Sequence, residues 1–220
     1  VAIASDGTVR AGLPLANAPI ADATSVWSGV KLSDGSVLLG TGTGGRIYQV
    51  NAGKVSIAVE TGEMAVSSLA LGPGGDVIAG TFPNGKLYRI KQADIGKGTD
   101  PLKPDPWHEL AETEDIWALA YDGKNNVYAA TGPEGRLFRI GNAGVPEIHF
   151  DSEEAHLVSV TVAPDGKVYT GSNGKALLFR LEAAGRATVV HDFDADDVKL
   201  IAVAADGTLY AVANSYSGGG

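Results

Sequence analysis

Apolar and polar residues alternate with a period of two along most of the chain, as in Val158-Ser159-Val160-Thr161-Val162. A period of two places every second side chain on one face of a β-strand, whereas an amphipathic helix needs a period of 3.6. The alternating runs are separated by turn residues, including Asp-Gly pairs at 34–35, 165–166 and 206–207. Such pairs predict β-hairpins, because glycine tolerates the positive φ of tight connections. The pattern therefore predicts an all-β protein.

The predicted strands belong to a unit that repeats along the chain. The segment VLLGTGTGGRIYQV at 37–50 recurs as VIAGTFPNGKLYRI (77–90), VYAATGPEGRLFRI (127–140) and VYTGSNGKALLFRL (168–181), and it begins again at 209. The starts are 40, 50, 41 and 41 residues apart. Four antiparallel strands in each such period are typical of a β-propeller blade. The longer second interval contains three prolines in 91–110, which predict an exposed loop between outer strands.

We predict a single domain over residues 1–220, with four complete blades at about 25–63, 64–114, 115–154 and 155–194. Residues 195–214 supply two further strands, and residues 1–23 contain a segment like the first hairpin of a unit. Because an exposed edge strand invites aggregation, these terminal segments are expected to combine as a composite fifth blade. The alternative is that the chain is part of a six- to eight-bladed propeller, because both ends of the sequence fall within a unit.

The repeats resemble bacterial β-propeller repeats of the two-component-regulator, YVTN and NHL types, with a WD40-like architecture. The resemblance is clearest in IWALAYDGKNNVYAATGPEGRLFRI (116–140) and extends over residues 25–213. It implies the propeller fold, which hosts sensors, scaffolds, ligand binders and some enzymes. The Gly-His and Trp-Asp signatures of eukaryotic WD40 repeats are missing from the sequence.

The composition excludes several kinds of function. A net charge of −9 argues against a nucleic-acid partner, which needs a basic surface. The sequence contains no run of 18 apolar residues, so it predicts no membrane span. The chain has no cysteine, which excludes disulfides, thiolate metal sites and thiol nucleophiles. The lack of cysteine favours a periplasmic or secreted location, although the sequence from Val1 onward shows no signal-peptide pattern.

Two glycine-rich segments imitate nucleotide-binding motifs. GTGTGG at 40–45 matches the dinucleotide pattern G-x-G-x-x-G, and GTFPNGK at 80–86 resembles a phosphate-binding loop. Both motifs work only where a helix N-terminus follows and receives the phosphate groups. Here strand residues follow in both places, so we interpret the segments as hairpin turns. We therefore predict no cofactor.

The histidines and acidic clusters carry weaker signals. His108, His149, His156 and His191 show no metal-ligand spacing, so no metal site and no catalytic residue is predicted. Of these, His149 and His191 lie at equivalent outer-strand positions, which indicates a surface role. Acidic residues gather at 112–115, 151–154 and 191–197, where one unit connects to the next. They form either ordinary solvated connections or a negative rim for a cation or a basic partner.

One polar set recurs in every complete unit and therefore indicates structure rather than function. A hydroxyl residue ends the second strand, and we expect its oxygen to bond a backbone group in the following turn. A basic residue comes shortly afterwards and is expected to pair with acidic turns. These positions are Thr41, Thr81, Thr131 and Ser172, followed by Arg46, Lys86, Arg136 and Lys175.

Residues that break the repeat are the candidates for function. One position near the start of each innermost strand varies from unit to unit: Trp27, Ser67, Trp117, Val158 and Lys199. Trp27, Ser67, Trp117 and Lys199 would then surround one mouth of the central channel, where aromatics and a lysine can bind a small ligand or peptide. In the alternative interpretation, the tryptophans wedge between blades.

Three further aromatic residues, Phe82, Trp107 and Tyr216, also depart from the repeat. Trp107 lies on the long insertion, where it either anchors a partner or packs the loop against its blade. The favoured function is a non-enzymatic module that binds a protein or a small ligand at one face of the ring. The alternatives are a lactonase- or lyase-type enzyme with a channel-mouth site, and an assembly protein that pairs through open blade edges. The oligomeric state stays open.

Overall fold

Antiparallel β-strands form nearly all of the regular structure in the computed structural model, which describes residues 2–3, 9–10, 18–142 and 144–216. Helical structure in these residues is limited to two 3₁₀ turns, Pro73–Gly75 and Gln92–Asp94. None of the described helices has the length and apolar character needed to cross a membrane. Four successive groups of four antiparallel strands, here called blades 1 to 4, confirm the predicted all-β propeller class. Blades 1 to 3 are separate four-stranded sheets, and blade 4 belongs to a six-stranded sheet.

The strands of each blade pair in chain order, from the innermost to the outermost. A separate pair, β1 (Ala2–Ile3) and β2 (Val9–Arg10), precedes the blades. Blade 1 contains β3 (Val26–Lys31), β4 (Val37–Thr41), β5 (Arg46–Asn51) and β6 (Lys54–Glu60). Blade 2 contains β7 (Ala65–Leu71), β8 (Val77–Phe82), β9 (Lys86–Ile90) and β10 (His108–Glu109). Blade 3 contains β11 (Asp115–Tyr121), β12 (Asn126–Gly132), β13 (Arg136–Gly141) and β14 (Glu147–Asp151). Blade 4 contains β15 (His156–Val162), β16 (Val168–Asn173), β17 (Leu177–Ala183) and β18 (Arg186–Asp192).

A terminal hairpin of β19 (Asp197–Val203) and β20 (Leu209–Asn214) follows blade 4. β19 also meets β16 through the pair Asn173 and Asp197. Most of residues 1–23 lie outside the described part of the chain, and the described strands β1 and β2 pair with each other. The composite fifth blade, like the rival larger propeller, therefore stays a prediction.

Apolar layers between neighbouring blades hold the molecule together. On β8, Val77 and Ala79 face blade 1 whereas Ile78 faces blade 3, and all three side chains are fully buried. The period of two in the sequence thus supplies both faces of one sheet with core residues. Complete burial of a side chain such as Ile78 contributes about 1.5–3 kcal/mol to stability.

The innermost strands β3, β7, β11, β15 and β19 contact one another in turn. They therefore line the central axis of the propeller, and their hairpins turn at the opposite end from their first residues. The predicted Asp-Gly turns are present, since Gly35, Gly166 and Gly207 have φ values of 87°, 86° and 86°. The first residues of the innermost strands consequently lie together at one face.

The insertion in blade 2 reaches back to blade 1. Leu102 forms a parallel bridge with Val59 on β6, in which the Leu102 N–H donates to Ala58 O at 2.9 Å and the Glu60 N–H donates to Leu102 O at 2.8 Å. The segment 91–107 lies between the third and fourth strands of blade 2, as predicted. Because it pairs with β6, it covers part of the outer edge of blade 1.

Candidate ligand site at the channel mouth

Each innermost strand carries a β-bulge near its beginning. The register of β3 against β4 shifts between Val26 and Ser28, so that Trp27 has no residue opposite it. The same shift occurs in the other four innermost strands, and the extra residues there are Ser67, Trp117, Val158 and Lys199. A bulge residue is released from the regular alternation of side chains, so a bulge can redirect its side chain.

All five bulge residues line a single cavity of about 410 Å³, which we call the channel mouth. Four of them, Trp27, Ser67, Trp117 and Lys199, are the residues that the sequence predicts there. Val158 and the neighbouring strand residues complete the wall: Val26, Ala118, Ser159, Val160, Leu200 and Ile201. The five innermost strands therefore contribute the same repeat position to one concave surface.

A row of aromatic rings runs beside the channel mouth across all four blades. The ring of Phe82, at the end of β8, lies 5.6 Å from Trp27 and 6.2 Å from Trp117 between centroids. The ring of His156 lies 5.8 Å from Trp117. These distances are typical of favourable aromatic pairs. Sequence reasoning did not assign Phe82 or His156 to the site, because their proximity comes from the packing of blades.

Both indole N–H groups of the site have partners within the protein. Trp27 Nε1 donates to Ser25 Oγ at 2.9 Å, and Trp117 Nε1 donates to His156 Nδ1 at 3.1 Å. A glycine makes room for each pair: a methyl group on Gly42 would lie 2.5 Å from Trp27 Nε1, and one on Gly132 would lie 1.9 Å from His156 Nδ1. The tryptophans therefore present ring faces and edges, rather than free donors, to the cavity.

The serine hydroxyl groups of the site bond the next blade. Ser67 Oγ donates to Ile116 O at 2.6 Å and lies 3.1 Å from Gly80 O, while Ser159 Oγ donates to Val198 O at 2.6 Å. These buried contacts fix the innermost strands against each other. They also use the single hydrogen that each hydroxyl can donate.

Lys199 is the one charged side chain among the described residues that line the cavity. Two carboxylates lie nearby on the same strands but outside the lining. Burial raises the pKa of Asp115, and Coulomb attraction to His156 opposes this shift in part. Asp197 accepts hydrogen bonds from Asn214 Nδ2 at 3.1 Å and from the Tyr216 hydroxyl at 2.5 Å. The second bond, to a carboxylate, raises the pKa of Tyr216.

Trp107 lies away from the channel mouth. Its ring packs 4.5 Å from the ring of His108, and the Arg89 guanidinium lies 5.5 Å from the ring centroid. The Trp107 N–H donates to Leu87 O at 2.7 Å, and the side chain borders the core between blades 2 and 3. In this arrangement it packs the insertion against its own blade, which is the second of the two predicted roles. A partner-binding role for Trp107 stays untested.

The repeated polar residues form the structural contacts that the sequence predicts. The hydroxyls of Thr41, Thr81 and Thr131 each donate to the carbonyl of the basic residue five positions later, at 2.9–3.0 Å. In blade 4, Ser172 Oγ instead accepts from the Leu177 N–H at 3.0 Å. All four basic residues pair with carboxylates, in the ion pairs Arg46–Glu60, Lys86–Glu63, Arg136–Asp151 and Lys175–Glu154.

Several carboxylates at the blade connections are buried rather than solvated. Glu63 is buried, which by itself would raise its pKa, but hydrogen bonds from Lys86, Asn84 and Tyr88 outweigh this effect and lower the pKa. Burial and the charge of Glu63 raise the pKa of Tyr88 to about 12. Glu154, from one of the three predicted acidic clusters, is buried as well and accepts a hydrogen bond from the Lys175 N–H at 3.1 Å. The buried carboxylates Glu63 and Glu154 thus stabilise the connections between blades.

The predicted surface role of His149 is wrong. The residue of blade 3 that corresponds to His191 is Phe150, because Phe150 pairs with Leu137 as His191 pairs with Leu178. His149 lies instead in a β-bulge of the outermost strand, between Ile148 and Phe150. The bulge turns His149 inward, where its ring lies 5.6 Å from Tyr128. Burial lowers the pKa of His149. Among the residues that the structure describes, no three His, Asp or Glu side chains come together as a metal-ligand group.

A second cavity, of about 850 Å³, lies at the other end of the innermost strands of blades 1 and 2. It is lined by hairpin turns, and its polar groups bond one another. Gln92 Oε1 accepts from the Ser33 hydroxyl, and Gln92 Nε2 donates to Gly75 O at 3.2 Å. The channel mouth is the better candidate, because it collects a variable position from every innermost strand.

The fold matches solved β-propellers. Virginiamycin B lyase from Staphylococcus aureus aligns with a TM-score of 0.73 and 18% sequence identity, over 96% of this chain and 69% of that chain. The WD40 propeller domain of Doa1 aligns with a TM-score of 0.64 and 10% identity, over 83% of this chain and 59% of that chain. The extracellular domain of BT4673 from B. thetaiotaomicron aligns with a TM-score of 0.66 and 14% identity, over 86% of this chain and 26% of that chain.

These similarities confirm the β-propeller architecture, and at such low identities they bear on the fold alone. No protein-family model and no curated protein sequence matches the chain. The chain is thus a β-propeller repeat protein.

Proposed function

We propose that the protein is a binding module that holds a small ligand or an extended peptide side chain at the channel mouth. The convergence of five bulge residues on one cavity of about 410 Å³ carries this proposal. Pockets for small molecules are concave, mostly apolar and a few hundred Å³ in volume, with a few polar groups that orient the ligand. The channel mouth has these properties, with Lys199 as its charged group.

The chemistry of the lining supports binding rather than turnover. Ser67 and Ser159 donate their hydroxyl hydrogens to backbone carbonyls of the next blade, and neither is bonded to a side-chain base. A serine nucleophile needs an adjacent general base, which these contacts do not provide. His156 accepts a hydrogen bond from Trp117, which supports an aromatic wall rather than a proton-transfer pair.

The proposal is tested by a chemically mixed fragment library and saturation-transfer NMR. We expect fragments that bind the wild-type protein to lose most of their saturation-transfer signal with Trp27→Ala, because Trp27 forms one wall of the cavity. Trp27 is 47% exposed, so its removal should leave the fold intact. Tyr210→Ala is the matched control, since Tyr210 is an aromatic residue, 60% exposed, that does not line the channel mouth.

Equal signals from the wild-type protein, Trp27→Ala and Tyr210→Ala would contradict a ligand site at the channel mouth. Circular dichroism of both variants checks that their folds are intact. A complete absence of binding fragments would also count against the proposal.

A lyase-type enzyme is the second candidate, favoured by the alignment of 96% of this chain with virginiamycin B lyase. In this chain, Asp115 and His156 are the acid and the imidazole closest to such a role, and they lie next to the lining residue Trp117. Incubation with virginiamycin B and mass spectrometry of the product tests this candidate. Turnover that His156→Gln abolishes would favour the enzyme over the binding module.

A further inference from the structure

We infer that the ligand class of the channel mouth is a planar apolar molecule that carries one negative charge, such as an aromatic carboxylate. This inference rests on the proposed binding function and specifies its ligand. Three properties of the cavity lead to it: ring surfaces without free donors, hydroxyls that are already engaged, and one cation that has no partner among the residues the structure describes.

The two tryptophans favour a flat apolar ligand. Their indole N–H groups bond Ser25 and His156, so the atoms left to a ligand are those of the rings. Trp27 is almost half exposed, and the neighbouring Phe82 lies against both indoles, which holds the rings in place. Rings held in this way bind other aromatic surfaces by stacking or edge-to-face contact.

The serines disfavour a polyhydroxylated ligand such as a sugar. Ser67 Oγ and Ser159 Oγ can each offer only lone pairs, because their hydrogens lie on Ile116 O and Val198 O. A sugar in this cavity would bury several hydroxyls against Val26, Val158, Leu200 and Ile201, which have no polar side-chain atoms. Burial of polar groups without hydrogen bonds is costly.

Lys199 favours a ligand with a negative charge over one with a positive charge. Its side chain is exposed and forms no ion pair or hydrogen bond within the described residues, so its ammonium group is available to a ligand. Neither Asp115 nor Asp197, which lie on the innermost strands two residues before the bulges, lines the cavity, and Asp197 is bonded by Asn214 and Tyr216. A cationic ligand would meet Lys199 as a like charge, whereas an anion would be attracted.

Three probes of one shape separate these properties: 2-naphthoate (an anion), 2-naphthamide (neutral) and 2-naphthylmethylammonium (a cation). Their dissociation constants are measured by isothermal titration calorimetry. We expect naphthoate to bind about two- to fivefold more tightly than naphthamide, as for a partly exposed charge pair. Lys199→Gln should abolish this difference, so the ratio of the naphthoate and naphthamide dissociation constants is compared between this variant and the wild-type protein. Lys54→Gln, on the outermost strand of blade 1, is the matched control and should retain the difference.

The contrary outcomes separate the two proposals. If naphthamide or the ammonium probe binds as tightly as naphthoate, and Trp27→Ala weakens all three, the channel mouth binds ligands but the inferred charge is wrong. If none of the three probes binds while library fragments still depend on Trp27, the planar class is wrong and the proposed function stands. If neither the probes nor the fragments depend on Trp27, both proposals fail.

Discussion

At the scale of single residues, blade 3 contains two aspartates, Asp115 and Asp122, whose environments shift their pKa values in opposite directions. Burial raises the pKa of Asp115, so ionising this carboxyl costs more in the folded than in the unfolded chain. Burial would also raise the pKa of Asp122, but hydrogen bonds from Asn126, Lys124 and Asn125 outweigh it and lower the pKa. Asp122 Oδ1 accepts from these three backbone N–H groups at 2.8–3.0 Å.

We therefore predict that Asp115→Asn raises the free energy of unfolding near neutral pH. The folded pKa lies above the ordinary value of 3.8, so the charged form opposes folding at high pH and the effect vanishes below 3.8. Urea unfolding at neutral pH and below pH 3.8 measures the change. A variant that is less stable than the wild-type protein at neutral pH would contradict the prediction.

For Asp122→Asn we predict the opposite effect, a lower free energy of unfolding near neutral pH. The folded pKa lies below the ordinary value of 3.8, so the carboxylate stabilises the protein above that value. This contribution disappears as the pH falls through the folded pKa. We expect the variant to unfold at a lower urea concentration near neutral pH, with a smaller difference from the wild-type protein in acid. Equal destabilisation at both pH values would contradict the assigned cause.

The sequence was sufficient to predict the placement of residues that have counterparts in other units, and their role in binding stays a prediction. Trp27, Ser67, Trp117 and Lys199 share one repeat position, so the geometry of a propeller brings them together once the period is known. Trp107 has no counterpart, because it lies on an insertion, and its role depended on where that loop packs. His149 was misplaced, because the spacing of one unit hid a one-residue shift in its strand.

At the scale of strands, a glycine in the second strand of a blade leaves room for a side chain from the innermost strand of the next blade. A methyl group on Gly80 would lie 2.5 Å from Ile116 Cγ2, and one on Gly171 would lie 2.6 Å from Val198 Cβ. Ser68 and Ser159 lie opposite these glycines and donate to the same neighbouring strands. The serine–glycine pairs therefore set the distance between successive innermost strands.

We predict that Gly80→Ala lowers the free energy of unfolding by about 1–3 kcal/mol, because the added methyl group overpacks the contact with Ile116. Thermal or urea unfolding measures the loss. Gly98→Ala is the control: its nearest atoms lie at 3.9 Å on Asp100, and the change should stay within about 0.5 kcal/mol. Equal effects at the two positions would contradict a special role for the contact between blades.

The bulges could not be predicted from the sequence. Every innermost strand has one, so the extra residue does not alter the spacing between units and leaves no gap when the units are aligned. The strands themselves were predictable, because alternation and Asp-Gly turns mark them locally. The row from Trp27 to His156 was not, since it joins residues of four different sheets.

At the scale of the whole molecule, the terminal hairpin leaves an apolar surface uncovered by the described residues. Leu200 and Val212 oppose each other on β19 and β20 and are 53% and 49% exposed. In blades 1, 2 and 4 the equivalent pair is a serine and a glycine. The terminal hairpin thus differs from the other blades on the face that lies away from blade 4.

The predicted composite fifth blade can be tested by cross-linking, because the chain has no cysteine and only engineered thiols react. We expect Val9→Cys combined with Val212→Cys to form an intramolecular cross-link with a short bismaleimide. Gel electrophoresis and mass spectrometry identify the product. Val9→Cys with Lys54→Cys is the control, because Lys54 lies on the outermost strand of blade 1.

An intermolecular product would instead support assembly through open edges, and no product would count against the composite blade. Light scattering of the unmodified protein then separates a monomer from an assembly.

The five bulges also separate the pairing of the strands from the surface of the channel mouth. A residue with no opposite partner contributes little to strand pairing, and this position already accommodates tryptophan, serine, valine and lysine in one chain. The serine–glycine pairs and the apolar layers hold the blades together at other positions, and of the bulge residues Ser67 and Trp117 also bond the next blade. The scaffold is therefore evolvable: the surface of the channel mouth can change at exposed bulge positions such as Trp27 and Lys199 while the sheets that display them stay the same.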